Sequence, residues 1–107
     1  MDAKKEIIIY LEKYDRNLRS RQVGKQIESE ILEQLSKSPE SLIIFDFTNV
    51  ESLSTGLAYE LFGKLWLELK DNFKEKIKFS LKANDNRNSL LGIIIKAIAY
   101  AKNEIQQ

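Results

Sequence analysis

The chain has 107 residues, of which 43% are hydrophobic and 31% charged, and its formal net charge is +1. That length and balance describe one globular domain spanning residues 1–107, since neither half alone would hold an adequate core, and they exclude a disordered tail. The small charge argues against a long duplex nucleic-acid footprint, and the absence of cysteine and histidine excludes disulfides, thiolate nucleophiles, Cys-ligated zinc and Ser-His-Asp chemistry.

The apolar run Ile7-Ile8-Ile9-Tyr10-Leu11 predicts a short buried strand. Tyr14 to Arg21 is polar and predicts a turn, with a second short strand around Leu18. Ser20 is placed to cap the following helix, where Val23, Ile27, Ile31 and Leu35 recur at four-residue spacing and Leu32 widens the stripe. Ser36-Lys37-Ser38-Pro39-Glu40 is the connection into a continuously apolar segment, Leu42 to Phe47, expected as a central strand covered on both faces.

The longest apolar helix pattern runs from about Gly56 to Asn72. Ile77, Phe79 and Leu81 then alternate with polar residues, predicting a strand with one wet face near the sheet edge. Asn84 to Ser89 is dense in turn and cap residues, and the last helix places Leu91, Ile94, Ile95, Ile98 and Ala101 on its expected main face. Alternating strands and helices predict a small α/β sandwich, with a three- to four-stranded mixed sheet and about three helices.

In such folds, sites gather where strands end and helices begin. Asp46, Thr48, Asn49, Glu51, Ser52, Ser54 and Thr55 all fall at one such junction. Ser54 or Thr55 is expected as the cap of the second helix, and either hydroxyl is also a candidate for phosphorylation. A phosphate there would meet free amides and the helix dipole.

The junction resembles the corresponding stretch of anti-sigma-factor antagonists, which runs Asp-x-Ser-x-Val, two residues, an aliphatic, then Asp-Ser-Ser-Gly. Asp46, Thr48, Val50 and Leu53 follow that pattern. Ser54 stands where the second Asp belongs, Thr55 on the phosphorylated serine, Gly56 on the next serine and Leu57 on the glycine. The hydroxyl is kept and its acidic neighbour is not.

The resemblance to the bacterial STAS-like family of unassigned function is closer. Its Ser-Arg-x-x-Gly helix entry is matched by Ser20-Arg21-Gln22-Val23-Gly24, and its Asp-Phe-x-x-Val segment by Asp46 to Val50. Its Ala-x-Glu-Leu-Phe-Gly-Lys-Leu helix is matched by Ala58 to Leu65, although Leu57 replaces the usual Phe. The resemblance spans roughly Leu18 to Tyr100. It implies a STAS-like sandwich and a regulatory protein-binding role without a cofactor, while a cytoplasmic location is the expectation from the lack of a signal-like or bilayer-length apolar segment. The implied partner is a histidine-kinase-like ATPase or an anti-sigma factor.

Asp46, Glu51, Ser52, Ser54, Thr55 and Gly56 are therefore the expected partner-binding residues. Tyr59, Gly63 and Trp66 join them as a flanking stripe on the second helix, two aromatics around a small residue, expected as either a shallow docking groove or a packing face. Ile93, Ala97 and Tyr100 form a similar surplus stripe on the last helix, and two such stripes suggest a self-association surface, in a homodimer or a hetero-complex. Arg19, Arg21 and Lys25 form a basic cluster, read as an anion site or as solvated charge; a sensor of a small ligand or nucleotide using it is the alternative function. Glu60 is expected to pair with Arg19 or Arg21. No nucleophile is paired with a base, so the chain is expected not to be an enzyme. No apolar segment reaches the length of a bilayer span.

Overall fold

The computed structural model describes residues 5–105. Five strands, β1 (Glu6–Tyr10), β2 (Asn17–Leu18), β3 (Leu42–Asp46), β4 (Ser52–Leu53) and β5 (Ile77–Ser80), form two sheets. The larger has the order β1-β3-β5; the smaller pairs β2 with β4. Every pairing is parallel, with Ile7, Ile43 and Ile77 in one row and Ile9, Phe45 and Phe79 in another. The expected mixed sheet is corrected here to a parallel one. Each link between neighbouring strands carries a helix, and such a crossover returns the chain to the same end of the sheet.

Three main helices complete the fold. The first, α1 (Arg21–Lys37), begins where Ser20 Oγ accepts from the Val23 amide at 3.3 Å and stops just before Pro39. The second, α2, is a composite: an α turn (Thr55–Ala58), a π turn (Tyr59–Gly63) and a closing α segment (Lys64–Leu69) run on without a break. Lys70, at φ 52°, ends it. A 3-10 turn (Lys70–Asn72) and one helical turn (Phe73–Lys76) then lead into β5. The last helix, α3, spans Arg87–Glu104.

The helices lie on one face of the three-stranded sheet. Ile43, Phe45 and Ile77 are buried on that face, and Phe62 of α2 packs edge-on against Phe45 at 5.2 Å and Phe79 at 5.3 Å between ring centroids. The opposite face carries Ile8, Tyr10, Leu42, Ile44 and Lys78, none of them buried. The expectations that β1 would be buried and that β3 would be covered on both faces are therefore corrected. Strands are added in one direction, β1 to β3 to β5, and right-handed crossovers made in one direction deliver their helices to a single side.

The helix layer has α2 in the middle, flanked by α1 and α3. Two glycines set its spacing. A Cβ on Gly24 of α1 would stand 2.8 Å from the Leu57 carbonyl oxygen, and one on Gly63 of α2 would stand 3.2 Å from that of Ala97. This close approach fixes the phase of α3: its core face is Leu90, Ile94, Ala97 and Ala101. Leu91 and Ile95, expected inside, face outward, with Ile95 57% exposed. Small residues, not the largest aliphatics, meet the crowded line beside Gly63.

Candidate functional site

Asp46 ends β3, and its Oδ1 accepts from the Thr48 amide at 2.8 Å, closing a tight turn. Asn49 follows at φ 65°, in the left-handed region that asparagine tolerates. The Asn84 side chain pins this loop from the far side. Its Nδ2 donates to the carbonyls of Phe47 and Val50, each at 2.8 Å, and its Oδ1 accepts from the Asn86 amide at 2.7 Å. Asn84 is buried, so those bonds take place without water's help.

The chain then crosses to the small sheet. The Ser52 hydroxyl donates to Asn17 Oδ1 at 2.7 Å and accepts from Arg19 Nε at 3.5 Å. Glu51 is exposed and pairs with Arg16 at 3.7 Å. Ser54 caps α2: its Oγ accepts from the Leu57 amide at 3.0 Å and donates to the Arg19 carbonyl at 2.9 Å. Thr55 makes neither contact and is exposed in the first turn.

Arg21 lies over Gly56, where an added Cβ would come within 3.0–3.1 Å of its side chain. Its Nη1 reaches Glu60 Oε2 at 3.3 Å, the pairing expected for that carboxylate, and Glu60 is only 12% exposed. Arg21, Thr55 and Tyr59 form one wall of an open cleft of about 570 Å3. The opposite wall is α3, through Lys96, Ala97, Tyr100 and Glu104. The Tyr59 and Tyr100 rings meet edge to face at 5.7 Å, and the Tyr59 hydroxyl donates to the Glu104 carboxylate. That bond, aided by burial and by the negative charge of Glu104, pushes the Tyr59 phenol up to about 12.

The expected site residues thus divide into separate places. Thr55 and Tyr59 share the cleft with Arg21, whereas Glu51 lies in a second, smaller depression of about 180 Å3 with Asn49, Asn84 and Asn86. The groove expected around Gly63 is not open: Gly63 is buried, and Ala97 and Ala101 of α3 occupy the space beside it. Trp66 is half-buried, with Lys70 and Lys102 over its ring at 5.3 and 5.4 Å from the centroid. The basic cluster also disperses. Arg19 is held on Ser52, Arg21 on Glu60, and Lys25 stands exposed on α1 outside the cleft lining.

Lys96, Tyr100 and Glu104 reach the cleft from some forty residues away in sequence, and nothing in the local pattern of α3 marks them as its wall. Asn84 was legible only as a turn former. Among the described residues, no three His, Cys, Asp or Glu side chains gather to hold a metal ion. No described helix is long and apolar enough to cross a membrane.

No curated protein and no solved structure matches the chain significantly. The signature of one family, the STAS-like domain of unknown function, matches residues 23–86. That interval begins in the first turn of α1, takes in β3, the capped junction, all of α2 and β5, and ends at Asn86 beside the pinned loop. With well over half of its residues matched, the chain belongs to the family of STAS-like domains of unknown function.

Proposed function

We propose that this chain is a cytoplasmic, non-enzymatic regulatory module that binds a protein partner through the β3–α2 junction and the first turns of α2. The observation that carries this reading is the division of labour between adjacent hydroxyls. Ser54 is consumed as the helix cap, while Thr55 is exposed on the rim of the cleft. A phosphate on Thr55 would sit among the free amides of the first turn, with Arg21 and Lys96 in the same cleft. It would reverse the charge presented to a partner without unfolding the domain.

Resemblance to anti-sigma-factor antagonists supports a histidine-kinase-like ATPase or an anti-sigma factor as the partner class. The carboxylates nearest the junction support a binding role over catalysis. Asp46 holds the Thr48 amide, Glu51 pairs with Arg16, and Glu60 pairs with Arg21. The test is affinity capture from the native cell with the wild-type chain and with Thr55→Glu. Recovery of an ATPase-type partner by the wild type alone, with equal melting temperatures, supports the charge switch. Equal recovery by both removes it.

A second reading, a small-ligand or nucleotide sensor, draws on the cleft itself, where two cations and two tyrosine rings face one space. Saturable thermal stabilisation by a nucleotide, abolished by Lys96→Ala, is its expected signature.

A further inference from the structure

β3 holds one edge of β1, and no other strand among the described residues flanks the second edge. The register identifies the groups left free. The Leu42 amide donates to the Lys5 carbonyl at 2.8 Å while Glu6 stands opposite Leu42. Lys5, Ile7 and Ile9 therefore turn their backbone groups toward β3, and Glu6, Ile8 and Tyr10 turn theirs outward. Natural edge strands are guarded by lysine, proline or a bulge. Ile7-Ile8-Ile9-Tyr10 contains no such guard, and Ile8 and Tyr10 are 44% and 46% exposed.

We propose that a second copy of this chain pairs with β1 in antiparallel fashion, across a twofold axis through Ile8, so that two three-stranded sheets become one. This axis sets Ile8 against its own symmetry mate and Glu6 against Tyr10 at each end. All three outward-facing residues are then used, and each facing pair exchanges two hydrogen bonds. Ile7 meets Ile9 on the helix-covered face, apolar against apolar.

Charge supports the same register. The Lys13 ammonium lies 5.7 Å from the centroid of the Tyr10 ring. Glu6 of the second copy, opposite Tyr10, brings its carboxylate to that ammonium, and symmetry repeats the match at the other end. An axis through Glu6 would instead set two carboxylates face to face, and one through Tyr10 would leave a single facing pair. The competing apolar strip on α3, Leu91 and Ile95, has no unpaired backbone row to satisfy, because its amides and carbonyls are spent within the helix.

Light scattering on the eluting full chain across a concentration series tests this. The wild-type mass is expected to rise toward that of a dimer. Ile8→Lys, which sets lysine against lysine at the axis, is expected to stay monomeric throughout, and Ile95→Lys to behave as wild type. Because the chain has no cysteine, Ile8→Cys gives an unambiguous second readout on a denaturing, non-reducing gel: oxidation is expected to produce a covalent dimer, and oxidation of Ile95→Cys to leave the chain uncrosslinked. A wild-type monomer at every concentration, a dimer that survives Ile8→Lys, or crosslinking through position 95 in place of 8 overturns the proposal. If Ile8→Lys fails to fold, the cysteine pair decides it.

Discussion

The Ser54 hydroxyl donates to the Arg19 carbonyl at 2.9 Å, so one side chain ties the start of α2 to the segment entering α1. Since the same oxygen accepts from the Leu57 amide, its loss removes a cap and a tether together. Ser54→Ala is expected to cost about 1 kcal/mol or somewhat more, whereas Thr55→Ala should stay within about 0.5 kcal/mol. Urea unfolding of the two variants gives the comparison. Equal effects would mean that Thr55 shares the capping role, which would weaken its assignment as the free hydroxyl.

Asn84 offers the sharpest test of how the junction is held. Its amide satisfies two buried carbonyls from Phe47 and Val50. Asn84→Ala leaves the Val50 carbonyl unpaired in the interior, while the Phe47 carbonyl keeps the Val50 amide at 3.0 Å, at an expected cost of about 1–3 kcal/mol. Hydrogen exchange should show faster opening confined first to residues 47–53. Exchange that accelerates evenly over the whole chain would mean that Asn84 supports the core at large and not this loop.

The glycines separate close packing from mere flexibility. Gly24→Ala places a methyl group 2.8 Å from the Leu57 carbonyl oxygen, a backbone contact that only a shift of α1 relieves, and should cost about 1–3 kcal/mol. Gly92, in the second turn of α3, has nothing within 4 Å of an added Cβ. Gly92→Ala should therefore stabilise by about 0.5–1 kcal/mol, by restricting the unfolded chain and favouring helix. Thermal melts of the pair should move in opposite directions.

Two tyrosines make the domain sensitive to strong alkali. The Tyr59 phenol is raised to about 12 chiefly by its bond to Glu104, and the Tyr14 phenol to about 12 chiefly by burial, with Glu30 adding a hydrogen bond at 2.5 Å and repulsion. An unfolded phenol ionises near pH ~10, so the unfolded chain gives up these protons first. The stability they contribute is complete below about pH 10 and drains away as pH rises through about 12. In Glu104→Gln, part of the tyrosinate absorbance transition should move to lower pH. A titration superimposable on that of the wild type would show that the Tyr59–Glu104 bond is not made in solution.

Much of this architecture is legible in the amino-acid order. The spacing of Ile27, Ile31 and Leu35, the Ser20 cap, the apolar Leu42 to Phe47 segment and the alternation at Ile77 and Phe79 each correspond to an element in place. The turn closed by Asp46 on the Thr48 amide is local, two positions apart, whereas the expected pairing of Glu60 with Arg19 or Arg21 is settled in favour of Arg21 by packing across 39 positions.

The phase of α3 was not. Ile93-Ile94-Ile95 is apolar on every side, so periodicity cannot choose a face, and the choice is made by the approach to Gly63. The same contact closes the groove that Tyr59, Gly63 and Trp66 suggest on a lone helix. The cleft beside Thr55 was hidden for a related reason. Its second wall comes from a distant helix, and which α3 residues line it follows from that same phase.

The parallel pairing of every strand has a kinetic consequence. Glu6 meets Leu42 and Ile43 meets Ile77, partners more than thirty positions apart, and even the short β2–β4 ribbon joins Asn17 to Ser52. With no hairpin among the described residues, no strand can be paired until a long crossover has been closed, and the entropy of that closure falls before any ladder bond repays it. The order of events in refolding is thereby set: α1 and α2 can each form early, because their backbone bonds are local, while the sheet waits. A stopped-flow experiment should see most of the helical signal return ahead of the burial of Trp66, whose neighbours on α3 arrive from the far end of the chain.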